Sequence, residues 1–162
     1  MGSGPGAAPT GPALSHEALL AAIPQQDPFR FIDEILSVDE ERISAAYRFR
    51  AEADFYRGHF PGHPVTPGVL LIEAMAQAGV VAHGIYLMSL GRSDAAAPRG
   101  LLTVFTEANV EFVNLVPPGE RVVITGRKIF FRHRKLRSAV EMRRADGEIA
   151  CHGTISGMGA SR

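Results

Sequence analysis

The stretch from Val69 to Leu90 limits the fold of this chain more than any other. Drawn as a helix it is apolar on nearly every side, so most of its surface has to be covered. A membrane could cover it, but three features argue against a span. Glu73, Gln77 and His83 lie inside the segment, no basic flank directly precedes it, and strand-like alternation borders it on both sides. The reading that remains is a core helix buried by a sheet.

The flanking sequence supplies that sheet. Ser15 is placed to cap a short helix running to Ala22 and ended by Pro24. Phe29 to Val38 reads as a first strand. In Arg42 to Ala51, Ile43, Ala45, Tyr47 and Phe49 share one face, and Ser44, Ala46, Arg48 and Arg50 the other, which is the period of a half-buried strand. Ala51 to Gly68 is loop, because Pro61, Pro64 and Pro67 forbid regular structure. Gly91 ends the long helix, and Gly91 to Gly100 is a polar, Ala/Pro-rich surface link. Further strands follow at Leu101 to Phe112, Arg121 to Phe131, Leu136 to Arg144 and Glu148 to Met158. Pro117-Pro118-Gly119 and Ala145-Asp146-Gly147 are the turns between them. The expected fold class is α+β, a curved antiparallel sheet closed round one long apolar helix. The first two strands form a hairpin and the later ones a meander. An uncovered sheet edge and residual apolar surface favour a dimer.

The chain has 162 residues, enough for one domain with a full core. That domain is expected over residues 14–162. Residues 1–13 form a Gly/Ala/Pro-rich tail with too little apolar surface to offset the entropy of ordering it. The tail lacks the charged and apolar regions of a signal peptide, and glycine at position six makes a poor myristoylation signal. Zero formal net charge argues against a general polyanion binder, nucleic acid included. One cysteine, Cys151, excludes an internal disulfide and fits the cytoplasm.

The chemistry concentrates in Gly58-His59-Phe60-Pro61-Gly62-His63-Pro64-Val65-Thr66-Pro67-Gly68-Val69-Leu70-Leu71-Ile72-Glu73. A stiff Gly/Pro loop presents His59, whose neutral imidazole is available as a base near cytoplasmic pH. Glu73 lies in the apolar helix with Gln77 as its one polar neighbour a turn away. Burial of a carboxyl without a cationic partner favours its acid form, which suits a proton donor or a group that orients water. The free N–H groups of Gly68 and Val69 at the helix start can hold a carbonyl that gains negative charge. His59 and His63 are four apart, but the prolines rule out the helix that would make them a metal pair. No metal or cofactor is called for. Cys151 lies in a strand and reads as inert core, and no Gly-x-Ser-x-Gly elbow is present.

This run resembles the 3-hydroxyacyl-acyl carrier protein dehydratases of fatty-acid synthesis, the FabZ type. The likeness rests on Gly58-His59-Phe60-Pro61-Gly62-x-Pro64 and on Pro67-Gly68-Val69-x-x-x-Glu73-Ala74-Met75-Ala76-Gln77. It extends to Pro28-Phe29, Phe112 and Val116-x-Pro118-Gly119-Glu120. The resemblance implies a hotdog fold, a catalytic pair of His59 and Glu73 drawn from opposite subunits, and Gly68 and Val69 amides near the thioester carbonyl. Relatives of the FabA type, which also isomerise the double bond, carry aspartate at the position of Glu73, so glutamate implies dehydration alone. Where the family usually has a Pro-His-Arg-Tyr-Pro-Phe-like stretch, this chain has Pro24-Gln25-Gln26-Asp27-Pro28-Phe29. That departure bears on substrate preference, and a specialised pathway such as polyketide or polyene synthesis fits it.

The substrate implied is a 3-hydroxyacyl chain on acyl carrier protein. Phe60, Val69, Ile72 and Ala76 are candidates for the acyl tunnel. Arg127, Lys128, Arg132, Arg134, Lys135 and Arg137 form a basic cluster suited to an acidic carrier. The assembly expected is a homodimer, with a trimer of dimers as the larger alternative. Two other functions are compatible with the same residues: a hotdog thioesterase, and a non-catalytic acyl-carrier-binding subunit.

Overall fold

The computed structural model describes residues 13–90 and 100–161. Residues 1–12 of the expected tail and 91–99 of the expected link lie outside the described residues.

A short helix α1 (His16–Ala22) opens the fold, and the Ser15 side chain accepts a hydrogen bond from the Ala18 N–H at 3.1 Å. Strands β1 (Glu34–Val38) and β2 (Arg42–Arg48) follow as an antiparallel hairpin. The first strand is shorter than its sequence suggests. The Phe31 N–H donates to Gln77 Oε1 at 2.7 Å, and the Phe29 carbonyl accepts from Gln77 Nε2 at 2.8 Å. A helix side chain thus replaces the strand partner these residues would otherwise need.

The central helix is built of α2 (Gly68–Ala76), a π-helical segment (Gln77–Ala82) and α3 (His83–Ser89). It is long and apolar enough to cross a membrane, yet 72% of its most apolar window is buried inside the fold. The covering sheet adds β3 (Leu101–Phe112), β4 (Arg121–Arg132), β5 (Lys135–Arg143) and β6 (Ile149–Ser161). Its six strands run in the order β1-β2-β4-β5-β6-β3, and every pairing is antiparallel. The expected meander holds for β4-β5-β6. Strand β3 departs from it, lying at the far edge beside β6 instead of next to β4.

Alternation in β2 puts Ile43, Ala45 and Tyr47, with Phe49 just beyond, in the core as expected, but Ala46, expected on the other face, is buried as well. Helix and sheet approach closely at two glycines, since a methyl on Gly126 would stand 2.7 Å from the Gly79 Cα. Ser138 Oγ donates to the Gly79 carbonyl at 2.7 Å and fastens the π segment to β5. Cys151 is buried with its sulfur 3.7 Å from that of Met75, and burial pushes its thiol up to about 12.

Candidate active site

The loop before the central helix is more ordered than its prolines suggest. A 3₁₀ turn at Asp54–Arg57 leads into it, and the Phe55 carbonyl accepts from the Gly58 and His59 N–H groups at 3.2 and 3.0 Å. Tyr56 Oη and Thr66 Oγ1 are 2.6 Å apart and both residues are buried. Burial raises the Tyr56 pKa, so the phenol serves as a neutral strut. The Thr66 N–H then donates to the Val116 carbonyl at 2.9 Å, which ties the loop to the segment after β3.

His59 is held on three sides. Its Nδ1 lies 2.8 Å from the Val65 carbonyl, its own carbonyl accepts from the Val65 N–H at 3.0 Å, and its ring stacks on Phe60 with centroids 4.2 Å apart. A carbonyl can only accept, so Nδ1 carries the proton and Nε2 is the basic nitrogen. His59 lines a cleft of about 300 Å³ with Phe60, Gly68, Leu71 and Phe112. A Cβ on Gly68 would stand 3.0 Å from the Phe112 ring, so glycine is what allows the helix start to reach this wall. The Pro67 carbonyl accepts from Leu70 and Leu71 at 2.9 and 3.2 Å. The N–H groups of Gly68 and Val69 therefore precede the first intrahelical bond, as the sequence implies.

Glu73 faces a different cleft. It is half-buried and lines a cavity of about 60 Å³ with Gln25, Ala76, Val80, Val81 and Phe105. Its Oε1 accepts from Gln77 Nε2 at 2.8 Å. Gln77 is fully buried and spends its remaining hydrogen bonds on Phe29 and Phe31, so it holds Glu73 in one orientation. The sequence marks Gln77 as a polar neighbour of Glu73. It does not reveal the tie to residues 29 and 31, which are distant along the chain.

Among the tunnel candidates, Ala76 lines the Glu73 cleft, whereas Phe60 lines the His59 cleft. Ile72 packs against the core and Val69 is 72% exposed. The basic cluster also divides. Lys128 is opposite Ser138 in the β4–β5 register, on the helix side of the sheet, and pairs with Glu41 at 2.8 Å. Arg137 reaches Glu107 at 3.4 Å. Arg127 and Arg132 are exposed. Arg132 and Lys135 are register partners flanking the β4–β5 turn, whose Arg134 carbonyl accepts from the Gly159 N–H at 2.9 Å.

Comparison with known proteins identifies the family and the fold. A family model described as a FabA-like domain matches residues 23–155. A 3-hydroxyacyl-acyl-carrier-protein dehydratase FabZ from Thermus thermophilus is 36% identical over 114 residues, covering 70% of this chain and 75% of its own. One of the same description from Magnetococcus marinus is 32% identical over 151 residues, covering 92% and 94%. A solved thioesterase from Haemophilus influenzae shares the fold at a TM-score of 0.62, with 16% identity and 93% of each chain covered. The chain belongs to the FabA-like family, among the hotdog dehydratases of the FabZ type.

Proposed function

We propose that this protein removes water from 3-hydroxyacyl-acyl carrier protein to give the trans-2-enoyl thioester, with His59 as base and Glu73 as acid. The observation that carries this reading is the bond between His59 Nδ1 and the Val65 carbonyl, which leaves Nε2 as a positioned base in a cleft that also holds the helix start. Nε2 takes a proton from C2. Negative charge then builds on the thioester oxygen against the N–H groups of Gly68 and Val69. The C3–oxygen bond breaks, and Glu73, as the acid or through a water it orients, delivers a proton to the departing hydroxyl. One water leaves for each double bond formed.

The two clefts become one site in a dimer. Strand β3 is a sheet edge, and Val104, Phe105 and Phe112 on it are each about half exposed. Phe105 lines the Glu73 cleft near one end of β3, and Phe112 lines the His59 cleft at the other. Antiparallel pairing of β3 with a second copy about Ala108 sets residues 104 and 105 opposite the partner's 112 and 111. Each site then takes His59 from one copy and Glu73 from the other. The same pairing brings the β4–β5 turn, with Arg132 and Lys135, toward the second copy's His59 cleft, because that turn lies at the Leu101 end of the sheet. An acidic carrier is steered there by Arg127, Arg132 and Lys135, while Lys128 pairs with Glu41 and Arg137 with Glu107. We further read the protein as cytoplasmic, with one domain over residues 14–162. It serves fatty-acid synthesis or a related polyketide or polyene pathway, as a dimer or a trimer of dimers.

Mass spectrometry of a 3-hydroxyacyl carrier protein incubated with the enzyme tests the reaction. Loss of one water, reversed when the enoyl carrier is supplied, is the expected result. Release of free carrier thiol would instead assign a thioesterase, which the shared fold makes the natural second reading.

A further inference from the structure

Gln25 is the feature of the Glu73 cleft that dehydration alone does not require. It opens the stretch in which this chain departs from the Pro-His-Arg-Tyr-Pro-Phe pattern, and it lines the same cavity as Glu73. Its Oε1 atom is buried and accepts no hydrogen bond from the described residues. Its neighbour Gln26 behaves differently, donating from Nε2 to the Ile23 carbonyl at 3.0 Å. Beyond Glu73, and apart from Thr103, the cavity is walled by Ala76, Val80, Val81, Val104 and Phe105, with Gly157. An acyl chain reaching past C3 therefore passes an unpaired amide oxygen in a wall whose one other polar side chain beyond Glu73 is Thr103. A saturated chain covers that amide without pairing it, which carries a desolvation penalty. A chain with a donor at that level removes the penalty and gains a bond.

We infer that Gln25 is a specificity-determining residue that selects 3-hydroxyacyl chains bearing a second hydroxyl further along the chain, as polyketide intermediates do. A hydroxyl suits the site because it both donates and accepts, and so pairs with either end of the amide. A carboxylate, which only accepts, is refused by Oε1. This inference rests on the dehydratase reading above.

The test compares kcat/KM for two carrier-bound substrates of equal chain length, one a plain 3-hydroxyacyl chain and one carrying an added hydroxyl beyond C3 at each of several positions. The parent should prefer at least one hydroxylated chain by about tenfold or more, since sites built to bond a substrate hydroxyl discriminate against analogues that lack it. Gln25→Leu should erase that preference by raising turnover of the plain chain and lowering that of the hydroxylated one. Gln25→Asn, which keeps the amide but draws it back, should retain part of the preference. Equal turnover of plain and all hydroxylated chains by the parent overturns the inference whatever the variants do, and leaves the dehydratase reading intact. A parallel fall on both chains in Gln25→Leu, at an unchanged melting temperature, also overturns it by making Gln25 a support for the common chemistry. Failure of the parent on every chain removes the dehydratase reading on which the inference stands.

Discussion

His59 is fixed by the main chain and Glu73 by a side chain, and that difference sets how each responds to substitution. Val65 holds the imidazole through a backbone carbonyl that mutation cannot remove, so the proposed base is robust to changes around it. Glu73 depends on Gln77, whose amide also serves Phe29 and Phe31. Glu73→Gln is near-isosteric and should abolish dehydration while leaving the melting temperature and acyl binding close to the parent's. Activity equal to the parent's would remove Glu73 from the chemistry. Gln77→Leu should act on both stability and rate. It leaves the buried Phe31 N–H unpaired, at about 1–3 kcal/mol, strips the part-buried Phe29 carbonyl of its partner, and releases Glu73. Urea unfolding and kcat measured together check this, and a loss in kcat without a loss in stability would contradict it. His59 and Glu73 stand out as candidates in the sequence because a Gly/Pro loop and an apolar helix leave few polar groups to choose between. The wider duty of Gln77 does not, since its partners are 46 and 48 positions away.

At the scale of the element, alternation identifies nearly every strand, because one face of each is buried and the period of two survives. Alternation says which face is covered but not which strand lies beside it, so the displacement of β3 to the far edge leaves no local mark. The π segment is also invisible, because a helix apolar all round shows no break in pattern where its turns widen. Its fixed points are Gly79 against Gly126 and the Ser138 hydroxyl on the Gly79 carbonyl. Gly126→Ala should force helix and sheet apart, with a cost of about 1–3 kcal/mol in urea unfolding; an unchanged midpoint would show that the helix shifts freely. His83 provides a second fixed point. It is fully buried, and its Nε2 donates to the Asp39 carbonyl at 3.0 Å, anchoring α3 to the β1–β2 turn. Burial lowers its pKa and Lys128 adds to that, while the Asp39 hydrogen bond and the charges of Asp39 and Glu41 oppose it. The unfolded chain therefore binds this proton first as pH falls through ~6.5, and folding stability falls with it. His83→Gln should show a smaller drop in Tm than the parent between about pH 7 and pH 5.5. Equal slopes would assign the acid sensitivity to other groups.

For the whole molecule, the separation of the two clefts within one chain is the fact with the widest reach. An enzyme complete in a single copy has no reason to set its proposed base and acid in separate clefts along an exposed edge strand. If β3 pairs with β3 of a second copy, His59→Ala and Glu73→Gln damage different halves of every site. Each variant alone forms a dimer with no intact site. A mixed dimer has one site with both residues replaced and one with both intact. Random exchange of equal amounts makes about half of the dimers mixed, so activity should return to about a quarter of the parental value. If both residues served a site within one copy, each site of a mixed dimer would still carry one lesion and mixing would restore nothing. Activity measured after exchange, with sedimentation confirming that the copies associate, separates the two arrangements.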